Sequence, residues 1–200
     1  MRRLLCLLLA LTLFPAGLHA ADNSTTYYIP PPQFNASLQI MDGGFVNLTA
    51  LFRNATGSFT FDDTAKAISN LRLAIDATSL LASNDANQRD IANLLDAFKY
   101  SEIRITAPDA VTFKDDKAEI KATLSFHGSN KPVTLEATLN RIGKTPISSS
   151  MWGGEGQAIG LTLHTTIKRA DFGMADEAAA VPARFGDTIT LALDVQAIKQ

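Results

Sequence analysis

Apolar and polar side chains alternate with a period of two along much of this chain, and a period of two fits half-buried strands where a helix needs 3.6. Ala118, Ile120, Ala122, Leu124 and Phe126 are apolar, while Lys117, Glu119, Lys121, Thr123 and Ser125 between them are polar. The same split recurs at Leu71, Leu73 and Ile75, at Val133, Leu135, Ala137 and Leu139, and at Ile189, Leu191, Leu193 and Val195. Turn signals at Asp62-Asp63, Asp115-Asp116, Gly128-Ser129-Asn130 and Gly153-Gly154 separate these runs, so short connections join antiparallel neighbours in a meander. One stretch breaks the pattern. Ile91, Leu94, Leu95 and Phe98 fall at helical spacing, which predicts a single helix over Asn84 to Phe98 with Asp85 near its start as the cap. Eight or more strands with one helix in this length predict a closed all-β, antiparallel barrel, because closure removes the edges an open sheet would expose.

The first twenty residues stand apart. Arg2 and Arg3 lead into the apolar run Leu4 to Phe14, followed by Pro15 and then Leu18-His19-Ala20, the pattern of a secretory signal peptide over residues 1–20. Cleavage there leaves one domain, residues 21–200, without long linkers, charge blocks or repeats. The chain has 18 Lys+Arg against 20 Asp+Glu, a net charge of −2, and loss of Arg2 and Arg3 takes it to −4. That balance argues against a nucleic-acid partner. The Leu4 to Phe14 run is far shorter than the roughly 20 residues of a spanning helix, so no integral membrane span is expected. Cys6 lies inside the leader, so the processed chain has no thiol and uses neither disulfides nor thiolate chemistry.

Ala118, Ala122, Ala137, Thr165 and Ala197 share the inward face with Leu, Ile and Phe. Barrels of eight strands sit at the size where side chains either fill the interior or leave space for one small ligand, and the pattern leaves both open. Catalytic chemistry is poorly represented. His127 and His164 share the parity of the polar faces and are expected to look outward, no Gly-x-Ser-x-Gly elbow occurs, and the aspartate pairs sit at turns. We therefore expect no metal, no cofactor and no enzyme activity. The Ala-rich stretch Ala175 to Ala183, broken by Pro182, reads as a surface loop.

Several stretches carry a family resemblance. Phe126-His127-Gly128-Ser129-Asn130-Lys131-Pro132-Val133-Thr134-Leu135, Trp152-Gly153, Ile159-Gly160 and Ile167-Lys168-Arg169-Ala170-Asp171-Phe172-Gly173-Met174 resemble the YceI-like, lipocalin-like family of exported polyisoprenoid-binding proteins. Gln88-Arg89-Asp90, Phe98 and Gly57-Ser58-Phe59 agree with it, so the resemblance spans about Gly57 to Ile198. Upstream, Tyr28 and Ile29 run into Pro30-Pro31-Pro32, without the family's Asp-Pro and His-Ser, and the first strands read as diverged.

The resemblance implies an eight-stranded antiparallel lipocalin-like β-barrel with one helix between strands, enclosing an apolar tunnel for a polyprenyl phosphate or a quinone tail. Each buried methylene contributes about 0.8 kcal/mol, and the costs of association keep the net well below the sum. Arg89 and Arg169 are the candidate head-group cations. Phe59, Leu73, Ile75, Phe98, Phe113, Leu124, Phe126, Leu135, Trp152, Leu163, Phe172 and Met174 are the candidate ligand-contacting residues. Arg89-Asp90 as a local ion pair and Arg169 as a loop brace are the structural alternatives. A periplasmic monomer or homodimer is expected. Two rival readings remain: an outer-membrane barrel, whose faces would be inverted, and a lipid-modifying enzyme.

Overall fold

An alternating strand hides its apolar face only by pairing and curving with others, so the fold is decided by how these strands find neighbours. The computed structural model describes residues 24–145, 156–174 and 184–200. Trp152, the leader at residues 1–20 and the stretch 175–183 lie outside the described residues.

Twelve strand segments and one α-helix follow in order: β1 (Ser24–Ile29), β2 (Phe34–Asp42), β3 (Val46–Phe52), β4 (Ala55–Asp62), β5 (Ala67–Asp76), β6 (Leu80–Ala82), α1 (Asp85–Leu94), β7 (Glu102–Ala107), β8 (Val111–Thr112), β9 (Lys117–Phe126), β10 (Ser129–Lys144), β11 (Gln157–Lys168) and β12 (Phe185–Lys199). They make eight barrel strands, because β1 with β2, β3 with β4, β5 with β6, and β7 with β8 are each one strand interrupted midway. The register shows this: β2 pairs β3 with Ala36 opposite Phe52, and β1 continues along β4 with Ile29 opposite Gly57. All neighbours are antiparallel and consecutive, and β1 closes the ring on β12 through Tyr27↔Lys199 and Tyr28↔Ile198.

The interruptions have local causes. Pro31 cannot donate to a ladder, and a 3-10 turn at Pro31–Gln33 carries the first strand past it. A second 3-10 turn at Ala77–Ser79 is capped by Asp76, whose Oδ1 accepts from the Thr78 amide at 2.9 Å and the Thr78 hydroxyl at 2.6 Å. Asn54, at the break between β3 and β4, reaches Asp76 Oδ2 at 3.4 Å.

The helix is shorter than its apolar spacing predicts. Asn84, rather than Asp85, is the cap, accepting from the Asn87 amide at 2.9 Å. At the other end Asp96 takes a left-handed conformation (φ 45°), and the amides of Ala97 and Asp96 bond back to the carbonyls of Ala92 and Asn93, both at 3.0 Å. This C-terminal motif breaks the helical phase. Ala97 takes the buried position, and Phe98, expected on the apolar face, is turned out to 87% exposure. The β9–β10 turn also shifts by one residue from its sequence signal. Phe126 pairs with Ser129, leaving His127 (φ 48°) and Gly128 (φ 73°) as a two-residue loop with both residues left-handed.

The barrel has a helical end, with α1, the β2–β3 and β9–β10 turns and the 3-10 turn Arg169–Phe172, and a hairpin end, with the β4–β5 turn and the Asp115-Asp116 turn. Arg184 ties the helical end together. Its Nε donates to Asp42 Oδ1 at 2.8 Å, its Nη2 to Asp42 Oδ2 at 3.2 Å, and its Nη1 to Asp90 on α1, while its carbonyl accepts from the Gly43 amide at 2.7 Å. Asp90 therefore pairs across space with Arg184, and the local Arg89-Asp90 pair is not formed.

The guanidinium hydrogen bonds hold the Asp42 carboxyl below the ordinary carboxylate range. A carboxyl depressed on folding adds stability above its unfolded pKa and loses it as pH falls through the folded value. We expect melts taken from about pH 6 down to about pH 2.5 to show falling stability, and Arg184→Gln to flatten that fall. Parallel curves for the two proteins would remove Asp42 from the account.

Candidate functional site

The inward faces of the eight strands converge on one apolar interior. At the hairpin end Tyr27 stacks on Phe59 (ring centroids 5.7 Å apart, planes at 12°) and meets Phe61 edge-on at 6.4 Å, and Phe61 contacts Phe113 at 6.3 Å. Aliphatic side chains follow towards the middle, with Leu73, Ile75, Leu124, Leu135 and Leu163 buried among Leu38, Ile105 and Leu193. At the helical end Phe126 meets Phe172 at 5.8 Å, and Met174, Ile91 and Leu95 are buried in the same core. Thus ten of the candidate ligand contacts, Phe59, Leu73, Ile75, Phe113, Leu124, Phe126, Leu135, Leu163, Phe172 and Met174, belong to one continuous core.

That core is closely packed. Leu38, Ile105, Leu124, Leu135, Leu161 and Leu163 have 0% exposure, which means that no water-sized space touches them. Depressions on the outer wall include a groove of about 590 Å³ lined by Tyr28, Thr56, Ser58, Arg72, Arg104 and Thr106.

The two candidate cations part ways. Arg89 is exposed on α1. Arg169 is 2% exposed, and its guanidinium donates to three backbone carbonyls: Nε to Gly186 at 2.9 Å, Nη1 to Met174 at 2.8 Å and Nη2 to Phe185 at 3.0 Å. It braces the turn after β11 against the start of β12, with Gly173 left-handed at φ 72° to let the chain reverse. Arg169 is thus held by the backbone, Arg89 is exposed on the helix at the helical end, and Phe98 points away from the interior.

His164 looks outward as expected and forms a cross-strand pair with Glu136 at 3.0 Å. His127 does not. The left-handed turn brings its ring against Tyr100, with centroids 4.5 Å apart, and its Nδ1 lies 3.0 Å from the Phe172 carbonyl. The Asp62 carboxylate accepts from the Thr64 and Ala65 amides, and Asp115 and Asp116 form a left-handed two-residue turn. Both pairs are turn residues. Among the described residues no group of three His, Cys, Asp or Glu gathers to hold a metal.

One residue escaped the sequence reading. Tyr27 has 0% exposure, and its hydroxyl is the buried side-chain polar atom without a hydrogen-bond partner among the described residues. Leaving such a group unpaired costs about 1–3 kcal/mol. Burial, and then the Asp63 charge, push its pKa up, so the phenol stays protonated. Its parity with Thr25 and Ile29 was the available signal for an inward position.

A closed up-and-down barrel with an apolar interior and a charged outer wall (Lys121, Glu136, His164 and Asp194) defines a lipocalin-like barrel, and the inverted faces of an outer-membrane barrel are not present. The chain belongs to the YceI-like family: the family model described as the YceI-like domain matches residues 27–197. The match begins 30 residues before Gly57, so the first strands are part of the family pattern rather than outside it. A UPF0312 protein of Vibrio parahaemolyticus is 31% identical over 162 residues, covering 79% of this chain and 80% of that one. Among solved structures, Burkholderia cenocepacia BcnA superposes with a TM-score of 0.68 at 16% identity, covering 84% of this chain and 98% of that chain. A polyisoprenoid binding domain from Saccharophagus degradans implicated in plant cell wall breakdown gives 0.60 at 15%, covering 88% and 99%. At these identities the two structures speak for the fold. No helix among the described residues is long and apolar enough to cross a membrane.

Proposed function

We propose that this protein holds a long-chain isoprenoid or similar amphiphile of the polyprenyl phosphate or quinone type, with the tail inside the barrel. It carries the lipid through the periplasm after loss of residues 1–20 and performs no chemistry on it. The observation that carries this reading is the continuous apolar interior of a closed barrel, in which Arg169, the buried cation among the described residues, is taken up by backbone carbonyls. The Saccharophagus degradans neighbour, described as polyisoprenoid binding, supports the same ligand class. A tail needs no polar anchor, because its stabilisation grows with the apolar area removed from water.

The interior is packed in the described state, so the tail must part side chains as it goes in. The inward alanines on β9 and β10, Ala122 and Ala137, are the smallest buried side chains on that wall, so parting the core beside them displaces the least. Ala137→Phe puts a ring at that place, costs about 1–3 kcal/mol in overpacking, and is expected to leave a folded protein that no longer takes up lipid.

The direct test is native mass spectrometry with lipid extraction on protein purified without detergent from the periplasm. A discrete co-purifying isoprenoid, absent from Ala137→Phe, is the expected result. Protein that is reproducibly empty and also refuses added polyprenols and quinones would overturn the reading in favour of a filled barrel that works through protein partners.

A further inference from the structure

The outer wall of a closed barrel is convex, so a groove in it needs a cause. Here the cause is a bulge. Ser58 pairs with Arg72 and Thr60 with Ser69, which sets Asn70 and Leu71 of β5 against the single residue Phe59 of β4. Asn70 takes a left-handed conformation (φ 53°), and its amide donates to the Pro108 carbonyl at 3.2 Å, where the chain leaves β7. A bulge of this kind bends its strand and re-aims the side chains beside it. The result is the groove of about 590 Å³, with Tyr28, Ser58, Arg72 and Thr106 in one cross-strand row and Thr56, Ala74 and Arg104 in the next.

Two like charges stand together in that groove. Arg72 and Arg104 occupy diagonal outward positions on β5 and β7, a backbone separation of about 7–8 Å that two arginine side chains readily span. No Asp or Glu lines the groove. Arg72 has no ion-pair or hydrogen-bond partner among the described residues, and Arg104 pairs with Glu102, two residues back on its own strand and exposed. An exposed pair contributes little, so the Arg104 guanidinium exchanges partners at small cost. Like charges held side by side favour an anion between them.

We propose that this groove binds the phosphoryl group of a small, soluble phosphate monoester between Arg72 and Arg104. One guanidinium fork satisfies the two oxygens of a carboxylate, whereas a phosphate monoester carries three acceptor oxygens and close to two charges, enough for both forks. Tyr28 and the hydroxyls of Thr56, Ser58 and Thr106 border the place left for the organic part, which suits a hydroxyl-rich body such as a sugar. A membrane surface fits less well, because the exposed large apolar side chains lie on β2, β3, β6 and beyond α1, away from this wall. The groove is separate from the barrel interior, so the assignment does not depend on the lipid reading.

Titration calorimetry of the full mature chain at low salt with glucose 6-phosphate and with glucose tests this, beside sedimentation with phosphatidylglycerol vesicles. We expect the ester to bind one to one and glucose not to bind. Arg72→Gln should weaken the ester about tenfold or more, the scale of one charged hydrogen bond, with Arg72→Lys in between. Glu102→Gln frees Arg104 and should tighten binding by up to about fivefold. Lys168→Gln, on β11, removes a distant charge and should leave binding as it is. All three positions are exposed, so melting temperatures should match the parent's.

A parent that does not bind the ester overturns the proposal, as does equal binding by Arg72→Gln. A loss in Lys168→Gln as large as that in Arg72→Gln would mark general charge attraction and overturn it as well. Vesicle binding that Arg72→Gln abolishes, without binding of the ester, would give the groove to a lipid surface and overturn the assignment. Should Arg72→Gln not fold, Arg104→Gln takes its place with the same expected loss.

Discussion

Arg169→Met is expected to lower the melting temperature by about 6–20 °C, the consequence of losing about 3–5 kcal/mol in a domain of this size. Methionine keeps most of the aliphatic stem and removes the donors. Three carbonyls, those of Gly186, Met174 and Phe185, then lose a charged partner at a site only 2% exposed. Water reaches such a site poorly, so each acceptor bears its own desolvation cost. Arg169→Lys is expected to recover part of the loss, since one ammonium cannot match the three-way fork. Thermal melts of the three proteins check this. An unmoved melting temperature combined with lost lipid binding would mean that Arg169 serves the ligand and that its carbonyl contacts are incidental.

Phe59→Ala is expected to cost about 3–5 kcal/mol, the range for removing a buried phenylalanine and leaving a cavity. Phe59 lies on β4 opposite Tyr27 and stacks on its ring, so the cavity opens beside the one unpaired hydroxyl in the described core. Phe59 is paired on the β1 side, while the β5 ladder shifts register between Ser58 and Thr60, and the pairs flanking that shift hold β4 and limit collapse into the space. Denaturant unfolding should show a lower midpoint with an unchanged slope. A cost below about 1 kcal/mol would show that the aromatic cluster at the hairpin end is loosely packed and tolerant of repacking.

Much of the barrel was legible because strand periodicity is local. The runs at Lys117–Phe126 and in β5, β10 and β12 carry their apolar parity in consecutive residues, and each is a strand with that face inward. The first strands were harder to read, since Pro30-Pro31-Pro32 hides one continuous strand split into β1 and β2 around a 3-10 turn. The helix was legible in place and not in extent. Its stop comes from Asp96 in a left-handed conformation, a role that composition assigns to glycine, and the resulting change of phase turned Phe98 outward. His127 was misread for a similar reason, because a turn one residue earlier than its sequence signal removed it from strand parity.

The sequence by itself determined that this chain makes curved antiparallel strands with one apolar face each, a short helix and turns at known positions, and it carried enough motif to indicate the family. Those properties depend on neighbours along the chain, where spacing and parity act directly. Only the tertiary structure decided what each charged or polar side chain does. Arg169 and Arg89 look alike in sequence, yet one is sealed among carbonyls and the other lies in solvent, because the chain after β11 folds residues 169 and 174 against residues 185 and 186 at the start of β12. Arg184 joins Asp42 to Asp90 across 142 and 94 residues of chain. Tyr27 became an unpaired donor only when β1 closed on β12 and its neighbours proved apolar. Desolvation and partner choice are set by burial and not by spacing, so the roles of this barrel's polar side chains could be read only once it was folded.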